Sequence, residues 1–187
     1  NWQEYVALLK LEITCGEAPF IVSRYDPVSD KQELLPLVER VGFLDKKLTV
    51  VSKYCTPQDE WIKWAKIAFQ SSYGYEWQGD SLLIARENLL YTFIDYYQDK
   101  FKEMPSTELQ KEIAEIIAWN IFQMDGLKYV IPMSCKTEKV TIKGAETLFG
   151  KEDDQVVEKP CAGCENKTAK NHNGIYAKTM DWRENKL

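Results

Sequence analysis

The stretch LEITCGEAPF, residues 11–20, places a Cys-Gly pair between two short apolar runs. The first run, over residues 10–14, is typical of a strand, and it leads directly into Gly16. A glycine immediately after a strand allows the backbone to approach a ligand closely. Two interpretations stay open at this point: an ordinary corner between a strand and the next element, or the floor of a nucleotide-type cofactor site.

A second candidate strand, SSYGYE at residues 71–76, ends in an acid, Glu76. In open α/β sheets, ligands bind outside the carboxyl ends of the strands, and an acid at the end of the second strand accepts ribose hydroxyls. The neighbouring Trp77 has a ring that could pack on an adenine face. A solvated carboxylate, or one that caps the following helix, is the alternative for Glu76.

The order of the predicted elements indicates the fold class. Apolar residues at three- and four-residue steps predict the longer helices, and Thr56, Asp80 and Thr107 are predicted as helix caps. Besides the two strands, the predicted elements are helices at 3–10 and 34–54, a helix after Thr56, helices at 81–101 and from Thr107 to Gly126, and a returning strand at 174–182. This order predicts a helix-rich α/β fold with a Rossmann-like, doubly wound sheet.

Composition limits the classes of protein that fit. The chain has 187 residues and a net charge of −5, which suits one domain and argues against a generally nucleic-acid-coating surface, though not against a local basic groove. Because we find no long apolar run and no signal peptide, we expect a cytoplasmic protein without a membrane span. Five cysteines do not suggest a disulfide framework. The chain begins with Asn1, so we expect a piece of a longer protein.

The domain organisation is predicted as one partial domain over 1–187 with a loop-rich insertion. Residues 133–173 are polar and lysine-rich and show no sustained hydrophobic period. We expect a hairpin at 138–142 within this insertion.

The insertion carries a cysteine pattern. Cys161 and Cys164 form a Cys-x-x-Cys pair, Cys135 precedes them, and His172, the one histidine, follows. A zinc site with three cysteines and one histidine would hold together a polar insertion with little core. Free thiols in a mobile loop and a redox-active pair are the alternatives.

Three segments carry a resemblance to a known family. LEITCGEAPF resembles the first motif of adenine-specific (N6) DNA methyltransferases of bacterial restriction–modification systems. YGYEWQGDSLLIARENLL, at 73–90, resembles the second motif, in which a strand ends in an acid and a helix with Ala-Arg-x-Asn-Leu follows. IIAWNIFQMDGL, at 116–127, is similar to a segment of the same enzymes, and IYAKTMDW, at 175–182, is similar to the approach to the third motif. The resemblance covers most of the chain and is weakest across 133–173.

The resemblance implies S-adenosylmethionine as the cofactor. The implied cofactor-binding residues are Glu12, Cys15, Gly16, Glu17, Phe20, Glu76, Trp77 and Asp181. Glu76 would hold the ribose, and Asp181 would face the adenine or the amino-acid end. Two departures stand out: Ala18, followed by Pro19, occupies the place of a usual second glycine, and the chain has no Pro-Pro pair. Since the family's catalytic loop contains Pro-Pro and an aromatic residue, no catalytic residue is assigned, and we expect the chain alone to be inactive.

The leading functional hypothesis is the cofactor-binding part of a DNA adenine-N6 methyltransferase. Its parent would transfer a methyl group to adenine N6 after flipping the base out of the duplex. The expected partners are DNA, bound through the full-length protein, and a restriction or specificity subunit. The alternatives are a non-catalytic, zinc-containing module that docks DNA or a protein, and a different Rossmann-like enzyme that uses a dinucleotide.

Overall fold

The protein is a mixed α/β, helix-rich chain that separates into two compact units. The computed structural model describes residues 1–26, 33–144, 146–147, 150–151, 153–184 and 186. The larger unit comprises residues 1–123 and 178–187, and the smaller unit comprises residues 124–177. The predicted insertion at 133–173 falls within the smaller unit. Among the described residues, no helix combines the length and the apolar character needed to cross a bilayer.

The larger unit contains a parallel sheet of three strands. The strands are β1 (Lys10–Ile13), β2 (Ser72–Glu76) and β3 (Ile121–Gln123), in the order β1-β2-β3. Leu11 lies opposite Tyr73, and Tyr75 lies opposite Phe122. The predicted strands at 10–14 and 71–76 are confirmed, and their carboxyl ends lie at one edge of the sheet because the strands are parallel.

The larger unit also contains helices. They are α1 (Trp2–Ala7), α2 (Phe43–Tyr54), α3 (Gln58–Gln70), α4 (Gly79–Phe101) and α5 (Thr107–Asn120). Two helices connect each strand to the next. Such long connections are expected, because two parallel neighbouring strands cannot be joined by a tight turn. Their apolar faces share one core, in which Trp61 and Phe93 are fully buried with ring centroids 5.9 Å apart.

The predicted helix at 34–54 is wrong in its first half, since α2 begins at Phe43. A short 3₁₀ turn at Leu37–Glu39 is the helical backbone before it. Ser23 Oγ accepts hydrogen bonds from the N–H groups of Val41 (2.7 Å) and Gly42 (3.1 Å). These bonds hold the segment before α2 in a turn against residues 21–23, although its apolar spacing resembles that of a helix.

The helix caps differ from the predicted ones by one or two residues. The N-caps are Pro57, Gln78 and Ser106, in place of Thr56, Asp80 and Thr107. Ser106 Oγ accepts from the N–H of Leu109 at 3.2 Å, so a serine that directly precedes the predicted threonine has the capping role.

The third strand was not predicted, because apolar residues continue with helical spacing from 113 to 124. α5 ends at Asn120 rather than near Gly126. The Asn120 side chain donates to the carbonyls of Phe69 (2.9 Å) and Ser72 (3.1 Å). This buried amide fixes the end of the helix beside β2, and the next three residues pair with that strand.

The smaller unit is built from short elements. They are β4 (Glu138–Ile142), β5 (Glu146–Thr147), β6 (Gly150–Lys151), β7 (Gln155–Lys159) and α6 (Ala162–Glu165). β4 and β7 form an antiparallel pair, as do β5 and β6. The prediction of a complete hairpin within 138–142 is therefore wrong. These residues form one strand, β4, and its partner strand lies at 155–159. Positions 145, 148, 149 and 152 of the insertion lie outside the described residues.

The predicted returning strand at 174–182 is wrong. Within the smaller unit, Tyr176 forms an isolated bridge with Val130, and Ile131 N–H donates to the carbonyl of Ile175 at 2.8 Å. In the larger unit, Asp181 forms a separate bridge with Lys186. The segment forms isolated bridges, and it does not extend the three-stranded sheet.

Candidate functional site

Three cysteines and the histidine of the smaller unit converge on one point. The ligand atoms of Cys135, Cys161, Cys164 and His172 all lie within 4.8 Å of one another. Cys161 directly precedes α6, which carries Cys164, and Cys135 follows a turn closed by Ser134 N–H on the carbonyl of Ile131. This arrangement could hold a metal ion such as zinc.

The histidine ring directs one nitrogen at the cysteines. His172 Nδ1 lies 3.5 Å from the sulfur of Cys135, 3.5 Å from that of Cys161 and 3.6 Å from that of Cys164. Its other nitrogen, Nε2, lies 2.7 Å from the carbonyl oxygen of Thr168. Because a carbonyl can only accept, Nε2 carries the hydrogen, and in the neutral ring Nδ1 presents its lone pair to the cluster.

Two glycines make room for these residues. A Cβ on Gly163 would lie 2.7 Å from His172 Nδ1 and 2.7 Å from the carbonyl oxygen of Lys170. A Cβ on Gly174 would lie 2.6 Å from Ser134 Oγ and 3.0 Å from Cys135 Sγ. Both positions therefore require a residue without a side chain.

The thiols differ in their tendency to ionise. A hydrogen bond from the backbone N–H of Asn173 lowers the pKa of Cys161 to about 6, whereas burial raises the pKa of Cys135 to about 11. The nearby Cys164 sulfur raises the pKa of the Lys128 ammonium, and the carboxylate of Asp125 raises it further. Lys128 thus adds positive charge beside a cluster whose sulfurs bind metals as thiolates.

The second candidate site lies in the larger unit, at the carboxyl ends of β1 and β2. Glu76 Oε2 accepts a hydrogen bond from Gly16 N–H at 2.8 Å. Glu76 Oε1 accepts from the N–H groups of Trp77 (2.8 Å) and Gln78 (3.1 Å), just ahead of α4. The carboxylate therefore holds the turn between β2 and α4 and at the same time joins the two strand ends. We call Gly16 and Glu76 the strand-end site.

The turn after β1 has an unusual backbone. Thr14, Gly16 and Ala18 have φ angles of 54°, 54° and 67°, in the left-handed region that favours glycine. Ala18 is also fully buried, and its N–H donates to the carbonyl of Cys15 at 2.7 Å. The position at which the family pattern has its second glycine is thus one at which a glycine would relieve strain.

Two titratable groups beside this turn have shifted pKa values. Burial raises the pKa of Glu12 to about 7, and its Oε2 atom is buried without a hydrogen-bond partner in the described part of the chain. Burial, together with the charges of Glu12 and Glu76, raises the pKa of the Cys15 thiol to about 12. Cys15 is therefore a buried neutral group, whereas Glu12 has an unused acceptor.

The other residues expected at this site are placed as follows. Glu17 and Phe20 are exposed, and Phe20 retains 74% of its surface. Trp77 is 44% exposed, and its carbonyl accepts from the Gln123 side chain at 2.8 Å. These residues belong to the turn after β1 or follow β2 directly, so the structure brings them to the same edge of the sheet.

Asp181 lies elsewhere in the larger unit. It pairs with Arg183 at 3.0 Å and lines a cavity of about 830 Å³ together with Leu11, Tyr73 and Phe122. The same cavity is bounded by residues at the amino ends of the strands, such as Ser71, which precedes β2. The structure therefore does not bring Asp181 to the strand-end site.

Several residues of these sites have roles that the sequence did not indicate. The buried Asn88 on α4 donates to the carbonyl of Glu17 at 3.1 Å, so it ties the turn after β1 to that helix. Asn88 is the asparagine of Ala-Arg-x-Asn-Leu, and that segment was the sequence signal that could have marked its role. No local pattern marked the Thr168 carbonyl or the two glycines, because their roles depend on contacts distant in sequence.

Comparisons with known proteins give no match: no family model, no curated protein and no solved structure matches the chain.

Proposed function

We propose that the larger unit binds S-adenosylmethionine and is the cofactor-binding part of an adenine-specific (N6) DNA methyltransferase of a restriction–modification system. The observation that carries the proposal is the 2.8 Å contact between Glu76 Oε2 and Gly16 N–H, at the carboxyl ends of adjacent parallel strands. Ligands of open α/β sheets bind at that edge.

The strand order supports a Rossmann-like sheet as part of this proposal. A doubly wound sheet has the order 3-2-1-4-5-6, and its first half therefore has three parallel strands in sequence order, each joined to the next by helices. The strands β1, β2 and β3 have this order, with α2 and α3 in the first connection and α4 and α5 in the second.

The residues present suit an adenosyl ligand with an ammonium group. Glu76 Oε2 accepts one hydrogen bond from the backbone and retains a lone pair for a ribose hydroxyl. The half-exposed ring of Trp77 offers an apolar face for adenine. Glu12 has a buried oxygen without a partner, and a ligand ammonium placed there would favour its ionised form.

When bound, S-adenosylmethionine supplies the methyl group, and this chain's residues bind and orient it. Gly16 offers a backbone without a side chain at the turn, and Asn88 fixes that turn through the carbonyl of Glu17. We expect the chain to bind cofactor. We do not expect it to methylate DNA, because it contains no Pro-Pro pair. DNA and a restriction or specificity subunit are the proposed partners of the parent protein.

Calorimetric titration of the chain with S-adenosylmethionine tests the proposal. Glu76→Ala should weaken binding by about 1.5–3 kcal/mol, the range for losing a charge-assisted hydrogen bond. Glu115→Ala, which removes an exposed carboxylate of α5, is the matched control and should bind like the unaltered chain. Failure of the unaltered chain to bind the cofactor would contradict the proposal, and tighter binding of a nicotinamide dinucleotide would favour the dinucleotide-using enzyme.

A second candidate function is a non-catalytic module that contacts DNA or a protein through the smaller unit. The convergence of Cys135, Cys161, Cys164 and His172 favours it, because such clusters hold small modules in shape. Titration of the chain with duplex DNA, in parallel with the cofactor titration, separates the two candidates.

A further inference from the structure

The three sulfur–nitrogen distances around His172 do not fit hydrogen bonding alone. Since Nε2 carries a hydrogen for the Thr168 carbonyl, Nδ1 has either one lone pair or, in the charged ring, one N–H. Either form can make one good hydrogen bond to one sulfur. Nδ1 nevertheless lies 3.5–3.6 Å from three sulfurs at once, so a central atom that all four groups bind explains the arrangement better.

The nitrogen–sulfur distances match those of a tetrahedral zinc centre. Bonds of about 2.3 Å from zinc to sulfur and about 2.0–2.1 Å to nitrogen, at a tetrahedral angle, separate nitrogen from each sulfur by about 3.6 Å. The observed separations are 3.5, 3.5 and 3.6 Å. Three thiolates and one imidazole are also the donor set that favours zinc over oxygen-seeking cations.

We infer that the smaller unit binds one Zn²⁺ through the sulfurs of Cys135, Cys161 and Cys164 and Nδ1 of His172. The Thr168 carbonyl orients the ring by accepting from Nε2–H, as outer partners of metal-bound histidines commonly do. All four positions are protein ligands, so the centre is closed to substrate and has a structural role. This inference is independent of the proposed cofactor site.

The metal has a defined structural task, because its ligands flank the base of the hairpin. Cys135 precedes β4, and Cys161 follows β7. All five residues of β4 are exposed, and a two-stranded hairpin of this kind is at best marginally stable in water. Asn173 braces the same base, since its side chain bonds both the N–H (2.9 Å) and the carbonyl (3.0 Å) of Lys136. The zinc centre therefore holds the hairpin in place.

Metal analysis of the full chain, purified without chelator, gives the first test. We expect about one zinc per chain, and cobalt substitution should give the intense visible absorption of a tetrahedral thiolate site. Cys161→Ser and His172→Ala should lose most of the metal. Cys55→Ala, which alters a buried cysteine of the larger unit, should keep it. Absence of metal, iron in place of zinc, or equal loss in Cys55→Ala would overturn the proposal.

Hydrogen exchange on the unaltered chain gives a second test that needs no variant. Addition of a chelator should remove amide protection in β4 and β7 while α4 and α5 keep theirs. Unchanged protection in the hairpin after the metal has been removed would overturn its structural role.

Discussion

The larger unit buries many aromatic and aliphatic side chains, whereas the described part of the smaller unit buries few apolar side chains together with Cys161 and His172. Trp61, Phe69 and Phe93 are at most 1% exposed in the larger unit. In the described part of the smaller unit, the buried apolar residues are Met124, Val130 and Cys161. Burial of so little apolar surface offsets little of the conformational entropy of an ordered segment. The difference indicates that a polar segment can be ordered by a few ligands where a core is too small.

The largest expected effect breaks the larger unit alone. Trp61→Ala removes a fully buried ring that packs against Phe93, Tyr97 and Phe101. It should lower the free energy of unfolding of this unit by about 3–5 kcal/mol, measured by denaturant titration followed by helical circular dichroism. The control Leu83→Ala, at a position 58% exposed, should change it by less than about 0.5 kcal/mol. Loss of bound metal in Trp61→Ala would contradict the independent stability of the two units.

The next effect is specific to the smaller unit. Gly163→Ala places a Cβ 2.7 Å from both His172 Nδ1 and a backbone oxygen, so the ring must shift. We expect metal affinity, measured by competition with a chromophoric chelator, to fall by roughly 10–100-fold, as for other supporting residues. Gly79→Ala, whose Cβ would meet only Gln123 Nε2 at 3.8 Å, is the matched control. Equal affinities in the two variants would contradict the placement of His172.

A buried charge sharpens the comparison, because the core of the larger unit also encloses the ammonium of Lys47. Its ammonium is fully buried and donates to the Leu8 carbonyl (2.7 Å) and Ser71 Oγ (2.7 Å). Burial lowers its pKa from 10.5 to about 7. Between these values the unfolded chain binds more protons than the folded one, so this group makes stability rise with pH.

The window for this test is pH 7–9. Glu12, with a pKa raised to about 7, makes stability fall as pH rises only up to that value, and Cys15, raised to about 12, opposes Lys47 only near and above its unfolded value of 9.0. The free energy of unfolding of the larger unit, followed by helical circular dichroism, should therefore rise with pH from 7 to 9, by at most about 1.4 kcal/mol per pH unit. Lys47→Met should abolish the rise, whereas the exposed Lys63→Met should retain it. A flat profile in the unaltered chain would refute the role of Lys47.

The smallest expected effect concerns a helix cap of the larger unit. Ser106→Ala removes the hydroxyl that accepts from Leu109 N–H, and it should cost about 1 kcal/mol in thermal or denaturant unfolding. Thr107→Ala changes the residue that the sequence favoured as the cap, and it should cost clearly less. The opposite order would show that the helix begins one residue later than described.

The sequence was most informative where one contiguous stretch determines the structure. β1, β2 and the long helices α4 and α5 follow from hydrophobic periodicity. The four metal-site residues are spread along the smaller unit and follow instead from the metal-binding chemistry of cysteine and histidine. β3 was missed because its three residues continue a helical pattern, and only the contact of Asn120 with the neighbouring backbone ends that helix. The resemblance implied that Asp181 lies at the cofactor site, but the returning strand predicted over 174–182 does not form. Long-range contacts of this kind leave no local pattern.

The metal centre at the base of the hairpin has a practical consequence for protein engineering. Residues 143–154 lie between the two paired strands and contain none of the four ligands. β5 and β6 pair within this connection. Outside that pair the closure entropy of a loop grows only with the logarithm of its length, so doubling the loop would cost only about 0.6 kcal/mol. A short epitope or a fluorophore-binding tag inserted there should leave the ion in place, which makes this connection a suitable site for a reporter.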